Sequence, residues 1–162
     1  MKAKKSFKKN DSYYMGVALK QAKKALAIDE VPIGAVVVDN AGNIVAKAYN
    51  TVHKKKCQTE HAEVKAIKKA CKLLGDWRLN GYALYVTLEP CMMCMGLMRL
   101  CRLSKLVYGA DSPIFGYRLD KDADLNVYKK DTIEIKKGVL ERESVDILRC
   151  FFKNKRKKSE KK

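Results

Sequence analysis

Two short stretches constrain this chain more than any other feature: His61-Ala62-Glu63 and Pro90-Cys91-Met92-Met93-Cys94. Any fold it adopts must bring them together, because between them they offer one imidazole, two thiols and one carboxylate that need not be a ligand. Cys91 and Cys94 are at i and i+3, so on a helix both thiols leave one face. His61 and Glu63 are two apart and do not share a face, which makes them poor candidates to ligate one ion together. One nitrogen and two sulfurs suit a zinc ion with three protein ligands and a fourth position open to water. That is the pattern of catalytic sites, whereas structural sites are closed by four protein ligands. Glu63 is then free to accept a proton from that water and later to return it, base first and acid second.

Other cysteines compete poorly for the same ion. Cys101 lies two helical turns beyond Cys94, roughly 10 Å away, and Cys71 lies about 15 Å along the helix from His61. Spacing alone leaves Cys57 and Cys150 open, but they read as ordinary loop or small apolar residues. His53, the other histidine, reads as a surface residue.

The length, 162 residues, suits one domain with its own core. No apolar run approaches the roughly 18–20 residues needed to span a bilayer. The segment from Met1 to Asn10 is basic with no apolar stretch behind it, unlike a secretory signal. The expectation is a cytoplasmic protein without a membrane partner, in which a Cys-x-x-Cys signals metal or redox chemistry and not a disulfide framework. The formal net charge is +17. This fits either a lysine-solvated surface or an attraction to polyanions, most simply nucleic acid. The charge concentrates at the ends: Lys2–Lys9 holds five lysines and no acid, and Lys153–Lys162 holds seven Lys or Arg against Glu160. Such blocks read as mobile tails. The expected organisation is therefore a basic disordered head over 1–10, one domain over 11–152, and a basic tail over 153–162.

Tyr13 to Ile28 carries Met15, Leu19, Ala22 and Leu26 on one stripe and reads as an amphipathic helix, with Asp11 or Ser12 as its cap. Val31-Pro32 breaks it. Ile33–Val38 and Ile44–Ala48 flank Asp39-Asn40-Ala41-Gly42-Asn43, which predicts a hairpin. Asn50 follows, a residue most often used to form turns. Thr51–Glu60 reads as a loop. His61–Leu74 reads as a helix with Val64, Ile67, Cys71 and Leu74 inward, stopped by Gly75. Tyr82–Leu88 is the strongest strand signal. Pro90 suits the first turn of a helix running to about Arg102. Lys105–Tyr108 and Thr132–Ile135 read as strands, Asp111–Lys130 as a loop, and Glu141–Phe152 as a helix with Val145, Leu148 and Phe152 inward. Strands alternating with helices imply an α/β domain with helices on both faces of a mixed sheet.

The pairing of His-x-Glu with Pro-Cys-x-x-Cys is the signature of zinc nucleobase deaminases. In finer detail, Tyr85-Val86-Thr87-Leu88-Glu89-Pro90-Cys91-Met92-Met93-Cys94, His61-Ala62-Glu63, Val31-Pro32-Ile33-Gly34-Ala35-Val36 and Asn50 resemble the bacterial tRNA-specific adenosine deaminases. The resemblance runs from about Tyr13 to Phe152. It implies a cytidine-deaminase-like fold, three layers α/β/α around a mixed five-stranded sheet, and one zinc per subunit on His61, Cys91 and Cys94. It also implies a homodimer that hydrolyses the wobble adenosine of a tRNA anticodon arm to inosine, with Glu63 catalytic. By the same resemblance Asn50 hydrogen-bonds the flipped base, Ala62 offers it backbone, and Val31 and Pro90 wall the pocket. The chain departs from that family in two places. Glu60 stands where a small residue usually precedes His-Ala-Glu, and Ser112 opens an atypical loop that carries Phe115 and Tyr117, two candidates for stacking on bases.

Two other functions fit the same motifs. His61-Ala62-Glu63-Val64 through Ala70-Cys71-Lys72 also resembles guanine deaminases, so a free-nucleobase deaminase acting on guanine or cytosine is an alternative, since pocket shape sets the base. A non-catalytic zinc module that binds nucleic acid is another, but it has no use for Glu63.

Overall fold

The computed structural model describes residues 9–119 and 133–160. Residues 1–8 of the basic head and most of the loop before the last strand lie outside the described residues. Helix α1 (Asp11–Ala27) leads into the hairpin β1 (Gly34–Val38) and β2 (Ile44–Tyr49). A short helix α2 (Val52–Lys55) precedes α3 (Ala62–Leu74), β3 (Ala83–Leu88), α4 (Met92–Leu100), β4 (Lys105–Ala110), β5 (Glu134–Lys136) and α5 (Glu141–Ser159). The five strands form one mixed sheet in the order β2-β1-β3-β4-β5.

β1 explains the layering. Its five residues, Gly34-Ala35-Val36-Val37-Val38, are all buried, as a run without polar residues requires. Alternate side chains enter opposite cores. Val36 and Val38 join Tyr14, Met15 and Ala18 of α1, with Tyr85 and Val107, on one face. Ala35 and Val37 join Ala66, Ile67 and Ala70 of α3, with Met95 and Met98 of α4, on the other. Helices α1 and α5 therefore cover one face and α3 and α4 the other, the three-layer arrangement expected. Full burial of each valine contributes about 1.5–3 kcal/mol. Gly34 has a packing reason: a Cβ there would run into backbone atoms of Ala18 and Ala22, so α1 rests directly on the strand.

Several expectations shift locally. Asn10, and not Asp11 or Ser12, caps α1, its side chain accepting from Tyr13 N–H. Gly75 does end α3 in the left-handed region. On α3 the buried face is Ala62, Glu63, Ala66, Ile67 and Ala70, whereas Leu74 is exposed, because the small residues let the helix settle onto β1 and β2. On α5 the buried residues are Ser144 and Phe151, and Phe152 is 46% exposed. Ser144 fits against Gly109, which has no side chain to oppose it, and this turns the helix by one position. The helix also continues to Ser159, so most of the basic block is an extension of α5. Lys and Arg are good helix formers, and their charge suits a helix C-terminus. Among the described residues no helix is long and apolar enough to cross a membrane.

Candidate metal centre

β1 is antiparallel to both β2 and β3, and β3 is parallel to β4. Strands β2, β3 and β4 therefore run the same way, and the residues following them share one edge. Asn50 follows β2, Glu89-Pro90-Cys91 follows β3, and Asp111–Arg118 follows β4. In α/β sheets the carboxyl ends of the strands are where ligands bind. The start of α3 is tied to this edge, because Thr51 N–H donates to the Glu60 carbonyl at 3.1 Å, one residue before His61.

His61 and Cys91 are the N-cap residues of α3 and α4, and Cys94 lies in the first turn of α4. Two helix N-termini thus point into one place, where free N–H groups and the helix dipoles favour thiolates. His61 Nδ1 faces both sulfurs, 3.4 Å from Cys94 and 3.7 Å from Cys91. All three ligand atoms lie within 4.8 Å of one another. Zinc–sulfur and zinc–nitrogen bonds of ordinary length, set tetrahedrally, place nitrogen and sulfur about 3.6 Å apart, so the residues fit zinc. Among the described residues this is the one group of three or more metal-ligating side chains so arranged. Cys57 and Cys150 are exposed and outside it. The ligands respond to one another. A hydrogen bond from Cys94 pushes the Cys91 thiol down to about 4 against the effect of burial, and His61 adds to this. Cys94, sharing that bond and buried, is pushed up. His61 is raised, mainly by its bond with Cys91.

Glu63 is 4% exposed, and its Oε2 has no hydrogen-bond partner. Burial raises its pKa above the usual carboxyl value. A buried carboxyl oxygen without a partner is costly unless something occupies the space before it. Glu63 lies beside three residues that could hold a metal ion, where such an oxygen is placed to meet water or substrate.

Three further polar groups support this edge, and sequence reasoning found none of their partnerships. Glu60, the departure before His61, accepts from Thr51 Oγ1 at 2.8 Å and pairs with Lys65 at 3.5 Å. Lys65 also donates to Thr51 Oγ1 and the Tyr49 carbonyl. Glu89 is fully buried and accepts from Ser112 N–H, Arg118 N–H and the Arg118 guanidinium. Burial would raise its pKa, but these donors hold it below the ordinary value. Gly116 passes so close that a Cβ there would strike the Glu89 carboxylate. The loop after β4 is thereby fastened down, with Phe115 75% exposed and Tyr117 buried. Asn50 is buried and donates to Glu30. Of the other pocket residues read from sequence, Ala62 is buried in the first turn of α3. Pro90 is buried with its carbonyl accepting Tyr117 N–H at 2.9 Å, and Val31 is half-buried before β1.

Residues 8–110 match the family model described as the cytidine and deoxycytidylate deaminase zinc-binding region. That span contains every ligand and Glu63. The chain belongs to this deaminase family. It is 45% identical to the tRNA-specific adenosine deaminase of Bacillus subtilis, over 91% of this chain and 92% of that one. A solved structure from work on A-to-I editing by tRNA:A34 deaminases at the wobble position of transfer RNA is similar, with 38% identity and a TM-score of 0.73. The similarity covers 85% of this chain and 99% of that one. A guanine deaminase structure from Bacillus subtilis is also similar, at 33% identity and a TM-score of 0.61, over 75% of this chain and 76% of that one. The deaminase fold and the zinc-binding family agree with the sequence reading, and His61, Cys91 and Cys94 form a possible metal site.

Proposed function

We propose that this chain hydrolyses the wobble adenosine of a tRNA anticodon to inosine, as a cytoplasmic homodimer with one zinc per subunit. The observation that carries deamination is the buried Glu63 carboxyl, one oxygen unpartnered, beside three zinc ligands. The choice of tRNA rests on relatives matched over nearly their whole length.

Water and adenosine give inosine and ammonia. His61, Cys91 and Cys94 hold the ion. Zinc bound there supplies a Lewis acid that makes hydroxide available near neutral pH. Glu63 takes the water proton as the oxygen attacks C6 and delivers it to the adjacent ring nitrogen. It then takes the remaining proton from the new C6 hydroxyl, which becomes the carbonyl, and passes it to the amino group, which leaves as ammonia when the carbon–nitrogen bond breaks. Asn50 hydrogen-bonds the extruded base, the Ala62 backbone contacts it, and Val31 and Pro90 wall the pocket. The fixed loop presents Phe115 for stacking on a neighbouring base. The basic end of α5 approaches the same edge, since Lys155 pairs with Asp29 at 2.7 Å, beside Glu30 and Val31. Its exposed Lys153, Arg156, Lys157 and Lys158 provide phosphate contacts.

Inosine at the wobble position of tRNA treated with purified protein tests the reading. No inosine with the wild-type protein, or undiminished inosine with Glu63→Ala, sinks it. The similarity to guanine deaminase supports one alternative. Ammonia release from free guanine without activity on tRNA decides for that one.

A further inference from the structure

Glu30 sits on the turn between α1 and β1, just before Val31-Pro32, and is 1% exposed. A carboxyl group in that position needs donors, and it has two. Asn50 Nδ2 donates to Oε2 at 3.2 Å, and Lys54 N–H donates to Oε1. The second bond caps α2. Thr51, the residue at the capping position, makes no such bond because its hydroxyl is given to Glu60. Glu30 therefore joins three pieces of chain at the edge that carries the metal centre: the turn before β1, Asn50 at the end of β2, and α2 leading to His61.

The first bond has a chemical consequence. A carboxylate has no hydrogen to give, so only the NH2 end of the Asn50 amide can face it. Because the amide is planar, its carbonyl oxygen is then turned away from Glu30. We propose that Glu30 is a positioning residue that locks the Asn50 amide in one orientation, and so sets the order of acceptor and donor that the base meets. This rests on the proposed function, in which Asn50 contacts the base. A base edge is read by the order of donors and acceptors, and a freely flipping amide presents both orders and selects poorly between bases.

Glu30→Gln separates this role from simple support. The glutamine oxygen can still accept Lys54 N–H and keep α2 capped. Its NH2 then faces Asn50, which favours the flipped amide, with oxygen toward position 30 and NH2 toward the base. The shape is nearly unchanged while the presented order is reversed.

The test is a double-mutant cycle on tRNA deamination with Glu30→Gln, Asn50→Ala and the pair, each checked for zinc content and thermal midpoint. The expected result is a loss of about 10- to 100-fold in kcat/KM for Glu30→Gln, the range of one buried polar group left mismatched. Zinc content is expected to stay unchanged, and Glu30→Gln to have no further effect in the Asn50→Ala protein. An equal loss in both backgrounds shows that Glu30 acts without Asn50 and overturns the inference. Full activity of Glu30→Gln overturns it too. Full activity of Asn50→Ala instead removes the base-contact reading on which it stands. Should Glu30→Gln melt below the assay temperature, the swapped pair Glu30→Gln with Asn50→Asp decides. The introduced glutamine would then donate to the introduced aspartate, which presents an oxygen to the base again. Recovery above Asn50→Asp alone supports the inference, and no recovery overturns it.

Discussion

Arg118 grips the buried carboxylate of Glu89 through two nitrogens, Nε at 2.8 Å from Oε1 and Nη2 at 3.0 Å from Oε2. The two residues are 29 apart in sequence, and the pair fastens the loop after β4 to the segment that carries Cys91. Arg118 is 38% exposed while the Glu89 side chain is fully buried. Arg118→Ala therefore leaves a buried charge with only backbone donors. The expected cost is about 2 kcal/mol, less than for a fully buried pair because Ser112 N–H and the backbone N–H at position 118 remain. For a domain of this size that lowers Tm by roughly 4–8 °C, measured by thermal denaturation of the zinc-loaded protein. An unchanged Tm contradicts the assigned importance of the clamp.

Glu63→Gln should abolish proton transfer while leaving the three ligands in place. A loss of about 100-fold to 10,000-fold in kcat is expected, the usual contribution of a general acid–base. Zinc content by elemental analysis should remain one per chain. A variant that loses zinc along with activity identifies Glu63 as part of metal retention instead.

Removal of zinc with a chelator should abolish deamination and lower the thermal midpoint, because the ion binds the folded arrangement of residues at the starts of α3 and α4. Re-addition of zinc should restore both. Cys94→Ala should show the apo midpoint regardless of added zinc. A midpoint for this variant that still rises with zinc places the ion elsewhere.

Asp11 predicts an acid-sensitive share of stability. Burial raises its pKa, but hydrogen bonds from Lys136 and Tyr85 and the charge of Lys105 outweigh this and leave it lowered. The folded value is below the unfolded one, so its contribution is complete above the unfolded pKa of about 3.9 and is lost as pH falls through the lowered folded value. Between about pH 5 and pH 3 the wild-type midpoint should fall more steeply than that of Asp11→Asn. Parallel curves for the two proteins exclude this contribution.

The basic end of α5 predicts salt-dependent RNA binding. Replacing Lys153, Arg156 and Lys157 by Glu should weaken tRNA affinity. The slope of log Kd against log salt should flatten by about one for each phosphate no longer neutralised. A slope identical to wild type makes these residues bystanders. Titration by filter binding or anisotropy between low and physiological salt measures it.

The sequence by itself determined the layered class and the order of the main helices and strands, although it read the short helix α2 as loop, and it pointed to His61, Cys91, Cys94 and Glu63. Each is a local signal. The i, i+3 spacing of Cys91 and Cys94 and the His-x-Glu step are visible within a few residues. The buried run of β1 and the stripe on α1 are visible within one element. Its limits were local too. Periodicity places Phe152 and Leu74 inward, but Ser144 seated on Gly109 and the small residues of α3 rotate those faces. Tertiary structure alone decided which polar groups meet: Glu30 with Asn50, Glu60 with Thr51 and Lys65, Glu89 with Arg118. None of these residues has a periodic or motif signature linking it to its partner. They meet because β1 runs against both neighbours, which brings the ends of β2, β3 and β4 to one edge. At that edge burial removes water, so these charges and amides are held by other protein groups, whereas one oxygen of Glu63 is left open.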